Sequence, residues 1–218
     1  MRSQVKTKPT RSELRRQRER EQRFQSILDA AENLFAKKGY HHTNMDEVAD
    51  LAEVSVGTVY FYFKNKEDLI SRMLEKIGFK LRNLLGREFE NADGSIEGFK
   101  RAGILFFEEF CLNHPQKVAI LFRESAGQSN RLEEHRKQIF EKLIQDVQHA
   151  LIRVGDNLNV AYQSPFSSEV MAVSIMGMYE RIAYQYLIWQ NRPDDLQTIG
   201  RDAVDFIVGG IMNLSSKT

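Results

Sequence analysis

The sequence predicts an all-α protein, organised as a small N-terminal helical unit followed by a larger helical body. Three observations carry this. Only 4 prolines interrupt 218 residues. Long charged stretches repeat apolar residues every three or four positions, the period of a helix with one buried face. The length suffices for one sizeable core, or for a small module plus a larger one.

The chain begins basic. Residues 1–24 hold nine Lys or Arg against three Glu, leaving 22 basic and 27 acidic residues beyond, although the whole chain is only +1. A basic end on a mildly acidic body suits contact with a polyanion through that end. Met1 to Arg11 is poor in apolar residues and is expected to be disordered in the free protein. Ser12 to Arg23 is rich in helix formers able to extend the helix that follows. The arm reads equally as a nucleic-acid contact or a solubilising tail, and its position just before the next segment favours the contact. A helix from about Arg23 to Lys38 then stops at Gly39, a natural C-terminal residue.

Thr43 to Lys66 is the most informative stretch. Thr43 is a hydroxyl N-cap with Asp46 three residues on, a near capping box. Met45 with Ala49, and Val48 with Ala52, are four apart and share one face of a short helix. Glu53 and Val54 make a turn, Ser55 N-caps a second short helix, and Val59 and Phe63 pack back on the first. Small Ala49 and Ala52 allow a close, steep crossing. This is the plan of a helix-turn-helix, whose second helix enters the DNA major groove. Gly57 costs that helix about 1 kcal/mol relative to alanine, while Val56, Gly57 and Thr58 form a smooth patch that can lie close to base edges. Val59 to Phe63 are all apolar or aromatic, more than one buried face can hide, and tyrosine hydroxyls suit phosphate oxygens. Asn65 caps a new helix. Lys66 lies in its first turn, where a cation opposes the helix dipole unless a phosphate docks there.

These residues together resemble the tetracycline-repressor (TetR) family of bacterial transcription regulators. Thr43, Val48-Ala49, Ala52, Val54-Ser55, Gly57, Tyr60, Tyr62-Phe63, Lys66 and Leu69 stand in the family's order and spacing. Upstream, Ile27, Ala30-Ala31, Phe35 and Gly39-Tyr40 are similar to its first helix. The likeness covers about Phe24 to Leu74. It departs at Glu53, where the family usually has glycine; a non-glycine residue with φ > 0 is uncommon, so a slightly reshaped turn is expected. The resemblance implies a DNA surface in which Val56, Gly57 and Thr58 face bases. Tyr60, Tyr62 and Lys66 then hold phosphates, and Thr43 and Ser55 assist through caps or backbone contacts.

Beyond the motif, the helix from Lys66 continues through Leu69, Ile70, Met73, Leu74, Ile77 and Leu81 to about Glu90. Its length, on the order of 37 Å, suits a connector, and Asn91-Ala92-Asp93-Gly94 ends it. Ser95 to Leu112 is helical up to Asn113-His114-Pro115, and Gln116 to Ser125 is a further helix. Asn130 to Val154 carries a clean stripe through Ile139, Phe140, Leu143, Ile144, Val147, Ala150 and Leu151, and Gly155 to Pro165 is a loop. Ser167 to Gln190 is apolar over most of its circumference, as in a helix buried on several sides. Asp194 to Leu214 is a last amphipathic helix whose Gly200, Gly209 and Gly210 permit close packing. In the resembled family the last two long helices build a homodimer interface, and these two qualify.

The body is rich in Phe, Met and Tyr, which suits an apolar pocket lined by the connector and its neighbours. Candidate ligand-binding residues are Phe106, Phe110, Phe122, Met171, Ile175, Met178 and Tyr179, with Phe107 and Phe140 beside them. Arg123, Gln128, Tyr179 and Tyr184 supply polar tips. The body resembles the fatty-acid-responsive, FadR-like members of the family, which implies a fatty acyl effector.

Other classes find little in the residues. There is no strand-elbow nucleophile, phosphate-cradling glycine loop or paired Cys set, so neither an enzyme nor a cofactor is expected. His135 and His149 lie about 21 Å apart along one helix, and His41-His42 sit in a turn, so no metal is expected. Lone Cys111, between Phe110 and Leu112, reads as a buried small hydrophobe. No secretory h-region or uncharged spanning stretch is present, which points to the cytoplasm and to no membrane. The expected organisation is a basic arm (1–23), a helix-turn-helix domain (24–74) and a helical ligand-binding and dimerisation domain (75–218). The expected protein is a repressor released from an inverted-repeat operator in double-stranded DNA by a small hydrophobic effector. The alternative is a constitutive or architectural DNA-binding regulator without an inducer.

Overall fold

Side-chain caps set most of the helix starts. The computed structural model describes residues 10–91, 94–159, 162 and 164–215, with side chains described as far as Met212. Among the described residues there is no strand. The chain divides into two compact units, Met1–Leu69 and Ile70–Thr218.

In the first unit, α1 spans Arg11–Lys38, α2 Met45–Leu51 and α3 Val56–Tyr62, and the unit also takes the opening turn of α4, Lys66–Asn91. Helix α1 therefore starts well before the Arg23 expected from the sequence. Thr10 and Glu13 form a reciprocal capping box, and Arg15 pairs with Glu19 at 2.8 Å one turn on, so the charged run has its own reasons to be helical. The disorder expected of Met1 to Arg11 concerns mostly residues 1–9, which lie outside the described residues. Gly39 ends α1 at φ 84°, with its N–H donating to the Phe35 carbonyl at 3.0 Å.

The N-cap of α2 is Asn44, in a full capping box with Glu47, and not Thr43. Thr43 is buried instead and its hydroxyl donates to the Gly39 carbonyl at 2.9 Å. An amide at Asn44 leaves Thr43 free to close the loop after α1. Ser55 caps α3 as expected, accepting from the Thr58 N–H at 3.1 Å. Ile27, Ala31, Phe35, Val48, Ala49, Val59, Phe63 and Leu69 are completely buried. Glu53 sits in the left-handed region at φ 54°. The turn keeps the geometry that glycine would supply, with the side chain bearing the strain.

In the second unit the rest of α4 packs with α5 (Ile96–Leu105), α6 (Pro115–Ala119), α7 (Asn130–Asn157), α8 (Ser167–Ala183) and α9 (Leu196–Ser215). Three of these helices widen into π-helical turns, at Phe106–Cys111, Ile120–Glu124 and Tyr184–Trp189. Such turns are rare and tend to sit at functional places. Helix α7 runs past Gly155, where a loop was expected. Tyr162 packs over that glycine and its hydroxyl donates to the Leu151 carbonyl at 2.6 Å. Residues 160, 161 and 163 of that loop, and 92 and 93 at the end of α4, lie outside the described residues.

Arg82 holds Asp146 through two hydrogen bonds of 2.5 and 2.9 Å, and Arg201 pairs with Glu108 at 2.8 Å. Both pairs are partly solvated, so they set register more than stability. Cys111 is fully buried and its thiol is pushed well up by burial. No described helix is long and apolar enough to cross a membrane.

Candidate DNA-reading helix and body cavity

Helix α3 turns two faces in opposite directions. Val59 and Phe63 are fully buried, while Tyr60 is 52 % and Phe61 70 % exposed. The aromatic run is therefore split as a single buried face requires. Tyr62 is half-buried beside Phe24, at 6.1 Å between rings, and its hydroxyl donates to the Arg20 carbonyl at 3.3 Å. Phe24 also stacks on Phe63 at 5.1 Å, and the Arg20 guanidinium lies 5.7 Å from the centre of the Phe61 ring. The N-terminal extension of α1 is thus fastened along α3.

Val56 and Thr58 are half-exposed and Gly57 is exposed. The hydroxyls of Ser55 and Thr58 share a 2.8 Å hydrogen bond. A Cβ built on Gly57 would meet only the Ser55 Oγ, at 3.9 Å, so nothing in the unit's packing asks for glycine there.

Lys66 is placed differently from the expectation. Its ammonium donates to three main-chain carbonyls, those of Tyr40 at 2.7 Å, Thr43 at 2.8 Å and His41 at 3.3 Å, and lies 4.5 Å from the Tyr40 ring centre. All three donors of the ammonium are engaged. The cation in the first turn of α4 is explained by the loop after α1, whose carbonyls outweigh the unfavourable helix dipole. Burial draws its pKa below the ordinary lysine range. Asn65 caps α4, accepting from the Asp68 N–H at 2.8 Å.

In the second unit, a cavity is enclosed by Leu81, Leu85 and Phe89 of α4, Phe99, Ala102 and Gly103 of α5, and Val147 of α7. Ile175, Met176, Tyr179 and Glu180 of α8, with Phe106 and Phe122 from two π-helical turns, complete it. Of the expected ligand residues, Phe106, Phe122, Ile175 and Tyr179 meet here. The other four do not line it. Phe110 is buried behind Phe106, with ring centres 6.1 Å apart, and Arg123 is ion-paired with Glu124. Met171 lines a separate open groove with Val170 and Ser174 of α8 and Phe206, Gly209 and Gly210 of α9. Met178 is half-exposed and outside the cavity wall. Residues 171, 174 and 178 share one face of α8, whereas 172, 176, 179 and 183 share another; apolar residues all round hid that division.

The α4 wall was legible as a stripe at four-residue spacing but reads equally as connector core. Glu180 is held above the usual carboxylate range by burial, with Arg136 pulling it back. The free volume is only ≈ 20 Å³, room for about one water, against roughly 300–1,000 Å³ for a ligand pocket. Among the described residues no cluster of His, Cys, Asp or Glu is arranged to hold a metal.

Comparison with known proteins matches residues 27–73 to the family described as bacterial regulatory proteins, tetR family. Along most of its length the chain is similar to the fatty acid metabolism regulator protein of Bacillus subtilis, at 28 % identity over 88 % of this chain and 96 % of that one. Its fold is similar to the fatty acid degradation regulator FadR of Bacillus halodurans, with a TM-score of 0.76 at 21 % identity over 86 % of this chain and 95 % of that one. It is also similar to FadR of Bacillus subtilis in complex with stearoyl-CoA, with a TM-score of 0.75 at 20 % identity over 86 % and 98 % of the two chains. The helix-turn-helix of residues 27–73 is of the tetR-family type, and the chain as a whole is similar to transcriptional regulators of that type.

Proposed function

We propose that α3 reads operator DNA in the major groove, and that the body is a homodimerising sensor releasing the operator when a small hydrophobic molecule, first of all a fatty acyl compound, enters its cavity. The observation that carries the DNA reading is Gly57. The fold leaves the space of its missing side chain open, so close approach of a base edge, and not packing, accounts for glycine in a seven-residue helix. Val56 and Thr58 flank it on the bases, Tyr60 and Tyr62 lie at phosphates, Thr43 closes the loop that leads into α2, and Ser55 caps α3. Arginines of the α1 extension, within an arm of residues 1–23, follow the backbone or enter a narrow minor groove. Lys66 orders the loop that presents α2. Functionally, residues 24–74 serve as the DNA-binding domain and 75–218 as the sensor and dimerisation domain.

Dimerisation is supported by the open face of α8 and α9, where Val170, Val173, Phe206 and Met212 are exposed around a groove of ≈ 670 Å³. Apolar patches of that kind mark association surfaces. A two-fold dimer then reads an inverted repeat with half-sites about 34 Å apart.

The acyl effector is supported by the likeness to the fatty acid regulators and by the apolar cavity walls. Since the free volume is small, a ligand has to spread the cavity walls, to which α4 contributes Leu81, Leu85 and Phe89. A hundredfold loss of operator affinity needs about 2.7 kcal/mol of difference in ligand affinity between the two body shapes. The same small volume favours the second reading, a regulator without an inducer.

Selection of bound DNA from a random pool, then titration of the complex with acyl-CoAs, free fatty acids and planar cationic drugs, tests all of this. Enrichment of an inverted repeat released by an acyl compound is the expected result. Failure to enrich any sequence overturns the DNA reading. Release by cationic drugs alone overturns the acyl assignment, and indifference to every compound leaves the inducer-free regulator.

A further inference from the structure

One polar atom is out of keeping with the cavity around it. Tyr179 is 6 % exposed, with its ring stacked on Phe106 at 5.6 Å and set edge-on to Phe107 at 5.0 Å. Its hydroxyl meets no hydrogen-bond partner among the described residues. Phenylalanine would fill the same space without leaving a polar group unpaired. Moreover, the fold makes room for that oxygen. A Cβ on Gly103 would stand 2.5 Å from the Tyr179 Oη, so α5 carries a helix-weakening glycine where the hydroxyl arrives. Burial raises the phenol's pKa, which leaves it protonated and able to donate.

The charge of the wall is just as specific. Glu180 lines the cavity, and neither Lys nor Arg is in its lining. Arg136, the cation that acts on Glu180, is hydrogen-bonded to Glu133 and lies over Phe140. An entering carboxylate would be desolvated with no cation in the lining to pair with, whereas an uncharged oxygen would meet a donor.

We infer that Tyr179 donates a hydrogen bond to a neutral oxygen on an otherwise apolar effector, an ester, thioester or ketone carbonyl, and that a wall holding Glu180 and no cation turns free carboxylates away. This rests on the cavity being the effector site. It makes the cavity choose an esterified acyl chain over the free acid.

The test uses the full chain and three probes of similar length, 2-undecanone, undecane and decanoate, each displacing the neutral dye N-phenyl-1-naphthylamine. The ketone should bind about tenfold more tightly than undecane, the worth of one buried hydrogen bond, and more tightly than decanoate. In Tyr179→Phe the ketone should bind no better than undecane. That variant should unfold no lower than the parent, since it removes an unpaired hydroxyl. In Glu180→Gln the gap between ketone and decanoate should narrow. A ketone advantage that survives Tyr179→Phe, or decanoate binding the parent as tightly as the ketone, overturns the inference. If undecane equals the ketone in the parent, the inference falls while the cavity remains an effector site. If no probe displaces the dye, both fall.

Discussion

Gly57 in α3 and Gly200 in α9 are the same residue in the same kind of element, and they are there for opposite reasons. At Gly200 a Cβ would lie 2.5 Å from the Phe107 ring, and at Gly78 it would lie 2.7 Å from Ile139. At Gly57 it would meet only one atom, at 3.9 Å, and at Gly209 and Gly210 nothing within 4 Å. The body's inner glycines are demanded by its own packing. Those of α3 and of the outer face of α9 are indifferent to packing, as are Gly86 and Gly177, so the chain's own core does not account for them. Helix propensity alone would rank all of them alike, as helix-weakening residues.

That contrast can be broken at both ends. The largest effect is expected at Gly210→Arg, which fits the free subunit but places a charge on the open face. It should leave the melting temperature within a few degrees, split the dimer in sedimentation, and weaken operator binding on the order of a hundredfold through lost avidity. A variant that stays dimeric moves the interface elsewhere. Next is Gly200→Ala, where overpacking against Phe107 should cost about 2–3 kcal/mol and lower the melting temperature by roughly 2–4 °C per kcal/mol. A neutral Gly200→Ala would show that Phe107 yields readily.

Lys66→Ala removes three charge-assisted hydrogen bonds and should destabilise the chain by about 1.5–3 kcal/mol in denaturant melts. The salt dependence of DNA binding should not change. A slope reduced by about one unit would mean that Lys66 leaves its carbonyls for a phosphate on binding. Gly57→Ala should raise stability by up to about 1 kcal/mol while weakening operator binding roughly tenfold; a variant better at both would remove the reason given for the glycine. The smallest change is expected at Glu53→Gly. Relieving a φ of 54° should add less than about 1 kcal/mol, read as a small rise in the denaturation midpoint.

Some corrections to the sequence reading were within reach of the sequence. Asn44 and Glu47 form as good a capping box on paper as Thr43 with Asp46, and Thr10 with Glu13 announces a helix start. Those choices turn on which of two adjacent polar residues is drawn into the loop. Met171 and Met178 were beyond it, because a helix apolar on all sides gives no phase from which to tell the cavity side from the open side.

What the sequence determined by itself is what forms within one turn of helix. Ser55, Asn65, Ser95 and Ser129 accept from backbone N–H groups three residues on, Gly39 ends α1, and periodic apolar stripes decide what is helix. These interactions need no partner from elsewhere in the chain, so residue types and spacing are enough to read them. The tertiary structure decided everything that joins distant residues. The carbonyls holding Lys66 come from 23 to 26 positions away. Gly103 makes room for a hydroxyl on another helix, and three helices widen into π turns with no signal in their 3.6-residue pattern. Those outcomes follow from which surfaces meet when the core closes, and no local spacing encodes them.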